Sequence, residues 1–446
     1  MNTIISIVLG IIAILVIVFV GFLIWISLER RKLNHLPGPK LSSFIFGTIE
    51  GIKDFIENGG SFAEYVTEMF MGEGLVTIND KKKWTWKRAI LNPAFQKSHL
   101  RKLEDDFNEV SDSFMDRLEK LADGKRVVKM LDEFNHMALD MIAKVVYAVD
   151  LKSVDSDDNP FTRAINKSFE GFQKNAEDKF LKLKPWKWAY IKTVTDSIQF
   201  LRNYTREQMA KRMEAIAKGD HVQEDILSFI LKLKESDPEL SEEELLDEFM
   251  TFFVAGQETT GNLMAFMVMD LAQNPTVLSR LLREIDQVVG KKAVISYDDL
   301  NKLTYLDMVV KETLRLHPPV GQPSRVTTKP MEVAGYTIPA GTMVGVALFS
   351  IARSEEFFDD PLTYNPERFS PDAEKKVDTY TYFPFTLGPR TCIGRHFADI
   401  EAKTVMTKIL QRYTFELVKD QPMGLLETIT IGPKGRVQCI LRIRED

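Results

Sequence analysis

A chain of 446 residues is long enough for one large domain or for several average ones. Its net charge of -6 at pH 7 is spread over the whole chain, so no nucleic-acid partner is expected. Two cysteines, Cys392 and Cys439, are too few for a disulfide-built secreted fold and favour a reducing compartment.

The N-terminal segment differs from this average composition. Residues 4–26 contain no charged side chain, and the run is longer than the about 20 apolar residues that span a bilayer. A cleaved signal peptide would carry basic residues before a shorter apolar core, whereas here Arg30-Arg31-Lys32 follows the run. The pattern predicts a transmembrane anchor over 3–28, a basic and Pro-rich linker over 29–40, and one cytosolic domain over 41–446.

Helical periodicity dominates this domain up to about residue 290. Apolar residues recur at intervals of three and four over 108–121, 132–149 and 195–218. Ser241 and Glu244 form a capping-box pattern that opens a long helix, which is predicted to end at Asn274. The middle of this helix is apolar on nearly every side, which predicts that it is buried.

Short strands are predicted after this helical part, over 331–336 and 343–346. A last hairpin is predicted over 426–441, with a turn over 432–435 that contains two glycines and a proline. The expected fold class is therefore mainly α with a small β-sheet.

Cys392 stands in a loop framed by Gly388 and Gly394, and a helical pattern begins just after the loop. Such a turn directs backbone N–H groups at the sulfur, and these groups together with Arg390 are expected to lower the pKa of the thiol. No second Cys or His stands at a spacing suited to zinc or iron–sulfur ligation. The loop therefore favours a metal that brings its other ligands with it, while Cys439 is expected to be an inert buried thiol.

The segment from Phe385 to Gly394 resembles the haem-binding loop of the cytochrome P450 family, and it matches Phe-x-x-Gly-x-Arg-x-Cys-x-Gly at every specified position. The resemblance implies a cytochrome P450 fold that binds haem b, with Cys392 as the axial ligand of the iron. It also implies that Phe385, Gly388 and Gly394 form the cofactor-binding loop and that O₂ is a co-substrate.

A short polar stretch, Ala255 to Thr260, interrupts the apolar helix. Gly256 removes side-chain bulk at a cost of about 1 kcal/mol, while Glu258 and Thr259 place a carboxylate and a hydroxyl among apolar residues. The stretch resembles the oxygen-binding groove of the family, which implies that Thr259 orients protons and that Glu258 supplies them. An intact Glu-Thr pair favours an oxygen-activating hydroxylase over an O₂-independent isomerase or dehydratase. A chain that binds haem poorly or not at all is a third alternative.

Two further sets of residues match motifs of the family. Trp84 and Arg88 share one helix face, and the resemblance implies that they reach a haem propionate together with Arg325 and Arg390. The alternative of a solvated basic helix fits the lysines around Trp84 better than it fits Trp84 itself; these are Lys81, Lys82, Lys83 and Lys87.

The Glu-x-x-Arg motif of the family is matched by Glu312 and Arg315, one turn apart on a helix. Arg368, in the segment Pro366-Glu367-Arg368-Phe369, is expected to complete a buried network with them. These three residues are interpreted as structural.

No G-x-G-x-x-G fingerprint follows a strand in this sequence, so the chain has no flavin or nicotinamide module of its own. The resemblance implies electrons from NADPH through a separate flavoprotein, cytochrome P450 reductase, and a location in the endoplasmic reticulum membrane. Trp186 and Trp188 flank Lys187, a combination that suits contact with membrane lipid. Likeness to sterol-hydroxylating members of the family favours a lipophilic, sterol-like substrate.

One piece of the family's pattern is missing. The segment 61–70 resembles the first helix of the domain, and 71–76 already resembles the stretch just before the Trp84 helix. Family members place several tens of residues between these points, including the first strands of the small sheet. An incomplete gene model, a shortened transcript or a natural deletion would each explain the direct junction between Phe70 and Met71.

Overall fold

The computed structural model describes residues 70–445, with gaps at 157, 179–180, 182–183 and 428–429, and the isolated positions 17, 20, 21 and 24. The predicted anchor and linker over 3–40 therefore lie almost wholly outside the described residues. Among the residues that are described, no helix is both long and apolar enough to cross a bilayer. The chain divides into two compact units, Met1–Ser61 with Pro323–Val346, and Phe62–Gln322 with Ala347–Asp446.

The larger unit is mainly helical, as the periodicity predicts. In chain order its described helices are α1 (Lys81–Leu91), α2 (Lys97–Leu100), α3 (Glu104–Leu121), α4 (Met130–Tyr147), α5 (Pro160–Glu177), α6 (Trp188–Lys218), α7 (Ile226–Ser236), α8 (Glu242–Gln273), α9 (Pro275–Val288), α10 (Tyr297–Leu300), α11 (Thr304–Leu316), α12 (Leu348–Ile351) and α13 (Arg395–Arg412). The three helices predicted over 108–121, 132–149 and 195–218 are confirmed as α3, α4 and α6, which begin a few residues earlier.

The long helix α8 runs through the core. Its capping box is present, because the Ser241 side chain accepts from the backbone N–H of Glu244 and the Glu244 side chain accepts in return from the backbone of Ser241. The helix ends at Gln273, one residue earlier than predicted, before Asn274 and Pro275. Most of its side chains are buried, so burial of an apolar face supplies most of its stability.

A three-stranded sheet closes the larger unit. Its strands are β1 (Asp123–Lys129), β9 (Gln438–Ile443) and β6 (Tyr413–Leu417), antiparallel in the order β1-β9-β6. Cys439 of the central strand lies opposite Val128 and Leu417 and is fully buried. The prediction of a buried thiol is therefore confirmed, and burial raises the pKa of Cys439 to about 12.

The predicted hairpin over 426–441 is wrong in its pairing. β7 (Leu425–Glu427) pairs with β8 (Ile431–Pro433), so the connection lies before Gly432 rather than over 432–435. Gly432 instead stands inside β8, where a Cβ atom would come within 2.7 Å of Asn262 Oδ1 on α8. The glycine is thus required by close packing and not by a turn.

Between Pro323 and Val346, the smaller unit contains four short strands. β2 (Ser324–Val326) pairs with β5 (Met343–Gly345), and β3 (Met331–Val333) pairs with β4 (Tyr336–Ile338), both antiparallel. The predicted strand over 331–336 is therefore two strands, which turn at Ala334 and Gly335, both with positive φ. Within the described residues, each of these ladders has only two strands. Nearly every side chain of the strands is exposed, so the ladders cover little apolar surface.

The structure contains the predicted buried network around Glu312. Both side chains of the Glu312–Arg315 pair are fully buried, and Arg315 Nε and Nη2 donate to the two carboxylate oxygens over 2.7 and 2.8 Å. Arg315 Nη1 donates to the carbonyl oxygens of Ala352 and Pro361, and Arg368 Nε lies 3.5 Å from Glu312 Oε1. The network joins α11 to two loops and so has the structural role predicted for it.

Candidate functional site

The loop that carries Cys392 is held by its own backbone. The N–H of Cys392 donates to the carbonyl of Phe385 over 2.9 Å, and the N–H of Thr391 donates to the carbonyl of Gly388 over 3.0 Å. Gly388 has a φ of 78°, a conformation that favours glycine. Gly394 precedes the first residue of α13, so the thiol lies at the N-terminal end of that helix.

The electrostatic environment of Cys392 differs from the prediction. The side chain is exposed on one side, yet enough protein surrounds the sulfur that burial raises the pKa of the thiol. Backbone hydrogen bonds from Gly394 and Arg395 and the positive charge of Arg88 act in the opposite direction but are weaker. The prediction of a lowered pKa was therefore wrong, because desolvation of the sulfur by the surrounding protein outweighs the effect of the donors.

Two guanidinium groups lie near the indole ring of Trp84, which is buried. The Cζ atom of Arg390 lies 4.5 Å from the ring centroid and that of Arg88 lies 6.0 Å from it. Arg88 Nη2 donates to the carbonyl of Thr391 over 2.9 Å, and Arg390 Nη2 donates to the carbonyl of Ile78 over 3.1 Å. The structure thus brings Trp84, Arg88 and Arg390 together next to the Cys392 loop.

Arg325 belongs to the smaller unit and is described there. Its side chain is exposed, and Nη1 donates to the carbonyl of the preceding residue, Ser324, over 2.8 Å. Its contact with a cofactor stays a prediction from the resemblance.

The polar stretch of α8, residues 255–260, is less buried than the parts of the helix on either side of it. Ala255 is exposed, and Glu258 and Thr259 are partly exposed, while Phe253 and Thr260 on either side are buried. The Thr259 hydroxyl donates to the carbonyl of Ala255 over 2.8 Å, so its lone pairs are left to accept. The helix α8, which carries this stretch, packs on α13, the helix that follows the Cys392 loop.

Gly256 has a packing role that the sequence argument missed. A Cβ atom at this position would overlap the end of the Ile142 side chain on α4. The same holds for Gly261, whose Cβ would overlap the Asn135 amide on α4. These glycines therefore allow α4 and α8 to approach closely, whether or not Gly256 also makes room for a ligand.

These residues fit a haem group. Cys392 offers one thiol at an exposed position, and the partly buried side chains of Val254, Phe385 and Ile393 offer apolar surface. Arg88 and Arg390 offer two guanidinium groups that suit carboxylates. A single thiolate donor with apolar surface and paired cations suits an iron porphyrin better than a metal held by protein ligands alone, and the described residues contain no cluster of three or more metal-binding side chains.

Two features near the site were missed by sequence reasoning. Lys87 and Lys83 do not belong to a solvated basic face: Lys87 is fully buried against Glu248, and Lys83 pairs with Glu244. The interpretation of all four lysines as a surface cluster was therefore wrong. The signal that could have shown it is the equal spacing of the two lysines and of the two glutamates, four residues apart in each helix.

Glu401 of α13 is the second missed residue. Its side chain is fully buried, and neither carboxylate oxygen makes a hydrogen bond of ordinary geometry to the described residues. Burial raises the pKa of this carboxyl well above its usual value, although Thr260 of α8 is close enough to lower it somewhat. A lone acid within the apolar pattern of this helix was the available signal.

Comparison with known proteins places this geometry in context. The family model described as "Cytochrome P450" matches residues 48–439. Cytochrome P450 3A12 of Canis lupus familiaris is 30% identical over 361 residues, which cover 78% of this chain and 71% of the relative. The crystal structure of a cytochrome P450DA heme domain has a TM-score of 0.78 at 24% identity, over 87% of this chain and 83% of that one, and so has the same fold.

A longer alignment bears on the missing segment. Cytochrome P450 4d2 of Drosophila melanogaster is 27% identical over 496 aligned positions, which cover 96% of this chain and 98% of the relative. Because 496 positions exceed the 446 residues of this chain, at least 50 positions of the relative have no counterpart here. The chain is thus shorter internally than this relative.

The buried carboxyl of Glu401 predicts a pH-dependent stability. Its pKa in the folded protein lies above the unfolded value of about 4.5, so the folded state retains a proton that the unfolded state releases as the pH rises. The free energy of unfolding should therefore fall above about pH 5, by up to about 1.4 kcal/mol per pH unit from this group. Glu401→Gln should remove that decline, as measured by urea unfolding at several pH values. Parallel pH profiles for Glu401→Gln, for the exposed control Glu374→Gln and for the parent would contradict the prediction.

Proposed function

The chain belongs to the cytochrome P450 family, and from that premise we propose that it is a haem-thiolate monooxygenase with Cys392 as the axial ligand of the iron. The reaction inserts one oxygen atom of O₂ into a lipophilic substrate. The observation that carries the proposal is the position of Cys392: its exposed thiol receives backbone N–H groups of Gly394 and Arg395 and lies within the field of Arg88.

The residues around Cys392 have distinct proposed roles in binding. Arg88 and Arg390, whose Cζ atoms lie within 6.0 Å of the Trp84 ring centroid, would hold the carboxylates of the porphyrin. The N–H groups of Gly394 and Arg395 stabilise negative charge on the sulfur, which offsets part of the desolvation that raises the pKa of the free thiol. When bound, haem supplies the iron at which O₂ is activated with two electrons from the reductase.

Glu258 and Thr259 are proposed to deliver protons. The Thr259 hydroxyl donates to the carbonyl of Ala255 and can accept a proton from a donor while it passes its own proton on. Glu258 is one residue away and partly exposed, so it can exchange protons with solvent. An O₂-independent isomerase or dehydratase would have no need of this pair.

The partners and the substrate class are proposed on sequence grounds together with exposure. The charge-free run over 4–26 favours attachment to the endoplasmic reticulum membrane, with the domain in the cytosol beside its NADPH-dependent reductase. Trp186 and Trp188 are 74% and 61% exposed, as expected for side chains that meet lipid headgroups. The segments 249–256, 381–385 and 408–412 resemble cholesterol 24-hydroxylase, which favours a sterol.

Sterols should then perturb the haem spectrum at lower concentration than fatty acids or small aromatic compounds do.

The iron ligand can be tested with two matched cysteine variants. In Cys392→Ala, the reduced, carbon monoxide-treated protein should lose the thiolate-type Soret band, and reductase-dependent O₂ consumption should fall to the background rate. Cys439→Ala, which removes the buried thiol of β9, should retain both signals. A parent-like spectrum from Cys392→Ala would remove the proposed ligand, and a thiolate spectrum with no O₂ consumption in the parent would favour the isomerase or dehydratase alternative.

Proton delivery can be separated from haem binding. Thr259→Ala should bind haem like the parent but release more peroxide or water per NADPH, because the hydroxyl that passes the proton is missing. The expected loss of product per NADPH is at least about 10-fold, since a general acid–base group usually contributes roughly 100-fold or more to a rate. Thr260→Ala, at the neighbouring buried hydroxyl, is the matched control. Equal yields from Thr259→Ala and the parent would contradict the proposed role.

A second candidate function rests on the short internal length of the chain. At least 50 positions of the fly relative have no counterpart here, and the β2–β5 and β3–β4 ladders are exposed two-stranded pairs. Two-stranded pairs are marginally stable in water and leave unpaired backbone groups at their edges. The alternative is therefore a shortened form that holds haem poorly and has little activity.

The two candidates differ in what an insertion would do. If the direct junction impairs the chain, a segment taken from a relative and inserted between Phe70 and Met71 should increase soluble yield and the amount of thiolate-type carbonyl complex. A Gly/Ser segment of equal length is the control, because it restores length without strands. Stoichiometric haem and sustained turnover by the unmodified chain would show that the missing residues are dispensable and would exclude the second candidate.

A further inference from the structure

Two ion pairs lie side by side between α1 and α8. Lys83 pairs with Glu244, and Lys87 Nζ lies 2.8 Å from Glu248 Oε1. Residues four apart share one face of a helix, so both pairs belong to the same line of contact between the two helices. Lys87 and Glu248 have no exposed side-chain surface, whereas Lys83 and Glu244 keep 32% and 21%. Water can therefore replace the partners in the Lys83–Glu244 pair, but it cannot reach the Lys87–Glu248 pair.

The buried pair is also held by the segment that directly follows the junction at Phe70. Lys87 Nζ donates to the carbonyl of Glu73 over 2.8 Å, and the N–H of Leu75 donates to Glu248 Oε2 over 3.0 Å. Both charged groups thus have backbone partners in addition to each other. This arrangement meets the requirement that a buried charge be paired and hydrogen-bonded.

Lys87 and the proposed cofactor residues occupy the same short helix. Successive residues on an α-helix differ by about 100° in direction, so a fixed Lys87 also fixes the directions of Trp84 and Arg88. Arg88 Nη2 donates to the carbonyl of Thr391, the residue that precedes Cys392. A rotation or slide of α1 on α8 would therefore move this guanidinium away from the Cys392 loop.

Stability alone does not account for the pair. The cost of removing two charges from water is comparable to their attraction, and apolar residues of similar size often replace such a pair without loss of stability. A shifted register would leave each charge buried without its partner, which is far more costly than the loss of an apolar contact. The pair therefore selects one register of α1 on α8.

We propose that Lys87 and Glu248 are positioning residues for the haem site, which fix α1 on α8 so that Arg88 and Trp84 meet the Cys392 loop. Neither residue is assigned a contact with substrate or haem. The proposal rests on the proposed haem-binding function, and it concerns the geometry of the protein side of that site.

The decisive variant is the double substitution Lys87→Met with Glu248→Met, which keeps the volume of the contact and removes both charges. Its matched control is Arg117→Met with Glu133→Met, which removes a largely buried ion pair that joins α3 to α4. Each protein is prepared with haem, and three quantities are measured: the melting temperature, the rate of haem loss to excess apomyoglobin, and amide hydrogen exchange over 385–394.

A positioning role predicts a specific combination of results. The Lys87/Glu248 double variant leaves the Glu73 carbonyl and the Leu75 N–H without these side-chain partners, so its melting temperature should fall, as that of the Arg117/Glu133 control should when the Val154 carbonyl loses Arg117. The Lys87/Glu248 variant alone should lose haem about 10-fold faster than the parent, the effect of about one weakened charge-assisted hydrogen bond. Exchange over 385–394 should also be faster. The Arg117/Glu133 control should change neither haem loss nor exchange. Parental haem loss and exchange in the Lys87/Glu248 variant would overturn the proposal.

Two further measurements keep the test decisive. If the double variant fails to fold, Glu248→Gln retains an acceptor for the Leu75 N–H and removes only the charge, and the same three quantities are compared. If the parent itself binds no haem, the proposed function fails, but hydrogen exchange over 385–394 in the haem-free proteins still tests whether the pair orders the Cys392 loop. Equal exchange in parent and variant would then overturn the positioning role separately.

Discussion

Burial of charge on the long helix α8 is the constraint on which the rest of the site depends. Glu248 pairs with Lys87 of α1, Asp247 with Arg202 of α6 over 2.9 Å, and Asp270 with His317 beyond the end of α11 over 3.1 Å. Apolar contacts tolerate small displacements, whereas a buried charge tolerates very little because its partner must stay within hydrogen-bond reach. The three acids therefore fix the elements around α8 more narrowly than the apolar core alone would.

The same competition between burial and pairing determines the pKa of the Cys392 thiol. Desolvation raises the pKa of Cys392 more than the donors of Gly394 and Arg395 lower it, so the thiol form is favoured while no cation is bound. A ligand that brings positive charge to the sulfur reverses this balance, and its binding then releases a proton. The Gly394 and Arg395 donors do not ionise the free thiol, but they stabilise negative charge on the sulfur once it is deprotonated, because they remain directed at it. A loop built in this way favours a metal-bound thiolate over a reactive free thiolate.

Local sequence signals predicted the parts of the fold that depend on neighbours in the chain. The capping box of α8, the periodicity of α3, α4 and α6, and the Cys392 loop are all determined within a few residues. Partners far apart in sequence were missed. Lys87 was interpreted as solvated because Glu248, its partner, lies on another helix, and Gly432 was placed in a turn because Asn262, the side chain that excludes a Cβ there, lies on α8. The desolvation of Cys392 and Glu401 likewise depends on the packed fold and is invisible in a motif.

The segment just after Phe70 and the strands over 323–346 differ in the contacts that hold them. The residues just after Phe70 are firmly held, since the N–H groups of Glu73 and Leu75 donate to Asp247 and Glu248, and a Cβ on Gly72 would overlap Asp247. These contacts involve only the helix α8 and a few residues of chain. The strands over 323–346 have no comparable support among the described residues, because their ladders contain two strands each and their apolar side chains are exposed. The contacts of residues 73–75 with α8 are therefore local to the larger unit, whereas the ladders over 323–346 lack a third strand among the described residues.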